Sequence, residues 1–129
     1  MESPKKYDIS LLYVEDDDET REGIAEALGM KVRELDLAKD GMEGLEIYKK
    51  KQNDIVMTDI KMPVMNGLDM SREIKKLNKK VPIIITTAYN DSELLIECID
   101  IGVNQFIMKP IIIPKLINAI EKCIKLMNR

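Results

Sequence analysis

Five short apolar segments recur along the chain, at residues 9–14, 32–38, 54–58, 81–87 and 105–108. Their starts fall 23, 22, 27 and 24 residues apart. That spacing accommodates one strand, one helix and two short loops. Between the segments, apolar residues return at helical intervals. Residues 22–28 carry Ile24, Ala25 and Leu28, residues 42–48 carry Leu45, Ile47 and Tyr48, and residues 68–77 carry Met70, Ile74 and Leu77. Residues 94–101 and 116–127 complete the series, the last with Leu116, Ile117, Ile120, Ile124 and Met127 on one stripe.

The alternation predicts an α/β fold, a doubly wound (βα)5 unit around a five-stranded parallel sheet. Strands joined through helices run parallel, and right-handed crossovers distribute the helices over both faces. Ile55-Val56-Met57 and Ile83-Ile84-Ile85 read as continuous apolar runs, as strands covered on both faces should. Arg33, Glu34 and Asp36 interrupt the second segment, which suits an edge position. Neither a linker nor an internal repeat divides the pattern. The expectation is a single domain over 1–129, with its core at about 7–127 and residues 1–6 as an N-terminal extension.

Composition narrows the chemistry. The 129 residues are 45% hydrophobic and 33% charged, enough apolar surface for one core. The longest apolar run, 11–14, is far shorter than the about 20 residues of a membrane span or the 7–15 of a signal-peptide core. A cytoplasmic location is expected on that ground. Histidine is absent, which removes Ser-His-Asp triads, Cys-His pairs and His-ligated zinc. Cys98 and Cys123 are too far apart for a CxxC site and are expected to be buried apolar residues. A net charge of −3 offers no general attraction to nucleic acid, so no direct nucleic-acid contact is expected. The lysines at 49–51 and 75–80 read as solvated helix ends, where positive charge suits the dipole. Chemistry must then be sought among the carboxylates.

In open parallel sheets, sites form outside the carboxyl ends of the strands. Here the first strand ends in Glu15-Asp16-Asp17, the third at Asp59, the fourth at Thr87 and the fifth at Lys109-Pro110. Three carboxylates, a hydroxyl and an ammonium therefore converge on one edge. Asp17 and Asp18 are accounted for as caps of the first helix. Two carboxylates about 4 Å apart repel by about 4 kcal/mol at an effective dielectric of 20, so the group needs counter-charge. Lys109 supplies one positive charge, and an all-oxygen site suits Mg2+ for the rest. A carboxylate so placed can act as a nucleophile toward a phosphoryl group.

Together, the segments YVEDD (13–17), AKDGMEGL (38–45), DIVMTDIKMPVMNGLDM (54–70), PIIITTA (82–88) and GVNQFIMKP (102–110) resemble the receiver domain of two-component response regulators over essentially the whole chain. The resemblance implies strand order 2-1-3-4-5 and a non-enzymatic switch that catalyses only its own phosphorylation and dephosphorylation. It implies Asp59 as phosphoacceptor, with Thr87 and Lys109 contacting the phosphoryl oxygens. It implies Mg2+ held by Asp16, by Glu15 through a water, by Asp59 and by the backbone carbonyl of Lys61. Thr87 and Phe106 become the switch pair, and the Lys109-Pro110 bond is expected to be cis. The implied partners are a sensor histidine kinase or phosphotransfer protein, and an output domain or protein meeting the fourth helix, fifth strand and fifth helix. Homodimerisation and a phosphate-independent docking module of the same fold remain open.

Some residues depart from the family pattern or have a plain structural role. Glu15 stands where Asp is commoner, and Lys61 and Tyr89 occupy the two positions that tune phosphoryl lifetime. Asp40-Gly41 is expected to open the second helix and Gly102 to end the fourth. Met62-Pro63 and Asn66-Gly67 bracket a turn in which Gly67 is the candidate for a positive φ. Ile111, Ile112 and Ile113 are expected in the core or on a contact face, Pro114 at a first helical turn, and Ile96 on an exposed side of its helix.

Overall fold

The computed structural model describes residues 6–88 and 92–128. Five strands, β1 (Tyr7–Val14), β2 (Val32–Ala38), β3 (Ile55–Asp59), β4 (Ile83–Thr87) and β5 (Gln105–Met108), form one sheet in the order β2-β1-β3-β4-β5. All neighbouring pairs are parallel. The helices are α1 (Asp18–Gly29), α2 (Gly41–Lys51), α3 (Gly67–Leu77), α4 (Leu95–Ile101) and α5 (Ile113–Met127), with a 3-10 turn at Ser92–Leu94. This is the flavodoxin-like doubly wound topology expected from the sequence. β2, with its interrupting charges, lies at an edge.

Alternation along the strands divides the core in two. Leu11, Tyr13, Ile55, Met57, Ile84 and Ile107 face Leu28 of α1 and Leu116, Ile120 and Cys123 of α5. Leu12, Val14, Val56, Ile83 and Ile85 face Leu45 of α2, Met70 and Ile74 of α3, and Cys98 of α4. Both cysteines are free and buried. No helix among the described residues is long and apolar enough to cross a membrane.

Helix starts differ from the apolar pattern by up to one turn, most at α1, whose first turn Asp18-Glu19-Thr20-Arg21 is polar. Asp17 caps α1 by accepting from the Thr20 N–H at 2.9 Å, Asp40 caps α2 through Glu43, and Asn66 caps α3 through Asp69. Pro114 lies in the first turn of α5. Gly102 ends α4 at φ 95°, its N–H reaching the Cys98 and Ile99 carbonyls. Of the three isoleucines before it, Ile111 and Ile113 rest against the α1/α5 core, whereas Ile112 is exposed.

One turn expectation is corrected. The positive φ in the β3–α3 connection falls on Val64 (69°), not on Gly67. Gly67 is required for a different reason: a Cβ there would run into the backbone carbonyl of Asp59, and its own N–H donates to Ile60 O at 2.8 Å. Close approach, rather than backbone handedness, holds α3 beneath the end of β3.

Gly67→Ala should therefore destabilise the protein by about 1–3 kcal/mol, the usual cost of overpacking. Gly23→Ala, in an open stretch of α1 where a Cβ meets nothing within 4 Å, should stabilise it by about 0.5–1 kcal/mol. Urea midpoints of the two variants should move in opposite directions.

Candidate functional site: an acidic pocket at the strand ends

The ladder delivers the site residues to one edge. The Glu15 N–H donates to Ala38 O at 3.0 Å and the Lys109 N–H to Thr87 O at 2.8 Å, so β1 stays paired with β2, and β5 with β4, up to the site residues. Glu15 continues the side of β1 that carries Tyr13, and Asp59 the side of β3 that carries Met57. Glu15 is 1% and Asp59 8% exposed, while Asp16 opens to solvent. One carboxylate oxygen from each of these three residues lies within 4.8 Å of the others.

Lys109 bridges the two buried carboxylates. Its Nζ donates to Asp59 Oδ2 at 2.7 Å and to Glu15 Oε1 at 3.0 Å. The remaining oxygens are also bound: Asp59 Oδ1 accepts from the Ile60 N–H at 2.7 Å, and Glu15 Oε2 from the Asp17 N–H at 3.1 Å. Arg21 secures the turn into α1, donating to Glu15 O at 2.8 Å and pairing with Asp18 at 2.6 Å.

Burial pushes the Glu15 carboxyl above the ordinary glutamate range, despite the Asp17 N–H and the Lys109 ammonium that oppose it. For Lys109, burial works against the charge, but the bonds to Asp59 and Glu15 outweigh it and the ammonium is held more firmly than usual. Three carboxylates with one oxygen each within 4.8 Å of the others, two buried and Asp16 open to solvent, offer the all-oxygen ligands a hard cation takes. The donor chemistry of Glu15, Asp16 and Asp59 thus fits Mg2+.

The other expected residues fall around this cluster. Thr87 closes β4, buried, and its hydroxyl donates to Ala88 O at 3.2 Å. Lys61 begins the β3–α3 connection with its side chain exposed. Phe106 is 40% exposed on β5. The Lys109-Pro110 bond is cis. Tyr89 lies outside the described residues.

Two residues escaped the sequence reading. Tyr13 and Thr86 each bury a hydroxyl without a hydrogen-bond partner. Both sit on the α1/α5 face: Tyr13 is two residues before Glu15, and Thr86 pairs in register with Asp59. Burial, then the charges of Glu15 and Asp59, raises the Tyr13 pKa. Strand alternation carries this signal, since a hydroxyl-bearing residue at i−2 from a site carboxylate shares its face.

The fold and pocket define a class: a doubly wound α/β domain with an acidic, lysine-bridged site at the strand ends. The model of the response regulator receiver domain matches residues 11–121, and the chain belongs to that family. It is 39% identical over 88 residues to the chemotaxis protein CheY of Thermotoga maritima, covering 68% of this chain and 73% of that one. The transcriptional regulatory protein LnrK of Bacillus subtilis is 31% identical over 115 residues, 87% of this chain but 52% of its own. A cyclic di-GMP phosphodiesterase of Thermotoga maritima matches at 31% over 80% of this chain and only 27% of its own length. The chain spans about a quarter to a half of the length of several curated relatives. The solved receiver domain protein of Clostridium thermocellum superimposes with a TM-score of 0.87 at 30% identity, covering 92% of this chain and 96% of that one.

The raised Glu15 pKa has a defined consequence in metal-free buffer. The folded state keeps a proton on Glu15 over a range in which the unfolded chain has lost it, so this group's contribution to stability falls as pH rises above about 4.3. Glu15→Gln removes that slope. The melting temperature of the variant should gain on the wild type from pH 4 toward neutrality, and a pH-independent difference would acquit Glu15.

Proposed function

We propose that this protein is a phosphorylation-dependent switch whose phosphoacceptor is Asp59. The observation that carries the reading is the cluster of Glu15, Asp16 and Asp59 with Lys109 bridging two of its members. Glu15, Asp16, Asp59 and the Lys61 backbone carbonyl would hold Mg2+, which supplies charge neutralisation of the phosphoryl oxygens. The donor is a phosphohistidine of a sensor kinase or phosphotransfer protein, and the setting is cytoplasmic. An Asp59 carboxylate oxygen attacks phosphorus, a P–O bond forms and the P–N bond to the imidazole breaks. The Ile60 N–H fixes the rotation of the carboxylate during attack. Lys109 then exchanges its bond to Asp59 for one to a phosphoryl oxygen, and no developing charge is left without a partner.

The added group brings about −1.5 to −2 charge and three acceptor oxygens. A charge-assisted bond from the Thr87 hydroxyl contributes about 1.5–3 kcal/mol. Driving a 1:99 equilibrium to 99:1 needs about 5.5 kcal/mol, so Thr87 acts together with Lys109, repacking of Phe106 and the partner. The output surface is formed by α4, β5 and α5. Ile96 (71% exposed), Ile99, Phe106 and Met108 present apolar side chains there, fit for an output partner or a second copy.

Incubation with Mg2+ and acetyl phosphate should add one phosphoryl mass to the wild type and none to Asp59→Asn or to protein in EDTA. An unmodified wild type, with this donor and with a cognate kinase, would favour the phosphate-independent docking module. Thr87→Ala should still accept the phosphoryl group but lose most of the phosphorylation-induced change in Phe106 side-chain NMR signals. Full retention of that change would remove Thr87 from the switch.

Mg2+ alone should raise the wild-type melting temperature, by the equivalent of about 2.7 kcal/mol at a hundred times its dissociation constant. Asp16→Asn should lose most of this shift. An undiminished shift would place the ion elsewhere.

A further inference from the structure

The lysines that follow α3 border a groove of about 850 Å3 at the end of the strands opposite Asp59. Pro82, just before β4, and Asn104, just before β5, lie on its wall, with Ile101 and Leu126 adding apolar surface. Arg72, Lys75, Lys76, Lys79 and Lys80 supply the charge, and none of the lining residues is a carboxylate.

Helix dipoles explain only part of this. Lys75 and Lys76 occupy the last turn of α3, where a cation is favoured, but Lys79 and Lys80 lie beyond it. Arg72 is engaged by Asp69 at 2.8 Å and Glu97 at 2.9 Å, and Lys76 by Glu73 at 2.9 Å. Among the described residues, Lys79 and Lys80 have no carboxylate partner. Lys75 is not a solvated helix end: its Nζ donates to Val81 O at 2.7 Å and Lys79 O at 3.1 Å, fixing a half-buried ammonium in the wall. Asn104 accepts from the Ile83 N–H at 3.0 Å through Oδ1, and its NH2 adds donors to the wall. The charged side chains that line the groove are all cationic donors.

We propose that this groove binds a phosphorylated small molecule of about nucleotide size, its phosphates on Lys75, Lys79 and Lys80 and its apolar or planar part against Pro82, Ile101 and Leu126. Small-ligand sites enclose about 300–1,000 Å3. A groove of this volume, with unpaired cations beside apolar surface, suits one compact polyanion better than an extended acidic peptide or a nucleic-acid strand. Lysine serves such a site as a point charge for phosphate. The site is independent of Asp59, because it occupies the other end of the strands.

The test is an NMR titration of the isotope-labelled full chain with ATP, in EDTA and at constant ionic strength, with hexaglutamate and oligo-dT as parallel ligands. Saturable shifts centred on the Lys79, Lys80, Gly102 and Asn104 amides, with a Kd below about 1 mM, are expected. The double variant Lys79→Gln/Lys80→Gln, altered only at exposed side chains, should weaken binding at least tenfold, and Asp59→Asn should leave it unchanged. Absence of saturation by about 5 mM ATP, an unaffected double variant, or tighter binding of hexaglutamate or oligo-dT would overturn the proposal.

Discussion

One ammonium between two buried carboxylates organises the functional end of this molecule. Lys109 follows β5, yet its partners stand at the ends of β3 and β1, 50 and 94 residues earlier in the chain. Strand β4 lies between β5 and β3, so the lysine side chain must cross the edge of β4 to reach Asp59. Without that reach, two carboxylates of very low exposure would face each other with only backbone N–H groups to offset their charge. Breaking one side of such an arrangement leaves an uncompensated buried charge, which costs far more than the intact pair contributes.

The sheet beneath makes the bridge possible because its two faces are packed by different helices. Apolar side chains fill both layers, and register rather than loop geometry sets the height of each strand end. Asp59 sits opposite Thr86, and Val14, just before Glu15, opposite Thr58. Gly67 adds a further constraint, letting α3 begin directly against the Asp59 carbonyl. On the α1/α5 face, the hydroxyls of Tyr13 and Thr86 are buried without hydrogen-bond partners. Buried polar groups left unsatisfied are uncommon.

Two charge clusters mark the strand ends: the carboxylates of Glu15, Asp16 and Asp59 at one, and the cations beside the residues preceding β4 and β5 at the other. The small net charge of −3 therefore conceals two strongly polar ends. At the β5 edge of the sheet, Ile96 and Ile99 of α4 and Phe106 and Met108 of β5 are exposed.

Much of this was legible in the order of residues. Hydrophobic periodicity marked five strands and five helices, because strands buried on both faces and amphipathic helices leave different repeats. Parallel pairing followed from the alternation, and it located Glu15, Asp16, Asp59, Thr87 and Lys109 on a common edge before any distance was known. The start of α1 was displaced because its polar first turn carries no apolar signal. The demand on Gly67 was misread, since a close approach between a loop and a strand end depends on two elements at once. Which carboxylate oxygens Lys109 would bridge, that burial would raise the Glu15 pKa, and that Lys75 would turn inward onto backbone carbonyls were decided only by tertiary structure. Local sequence determines what a segment can form; the field and the contacts at a side chain are set by neighbours that only folding brings within a few ångströms.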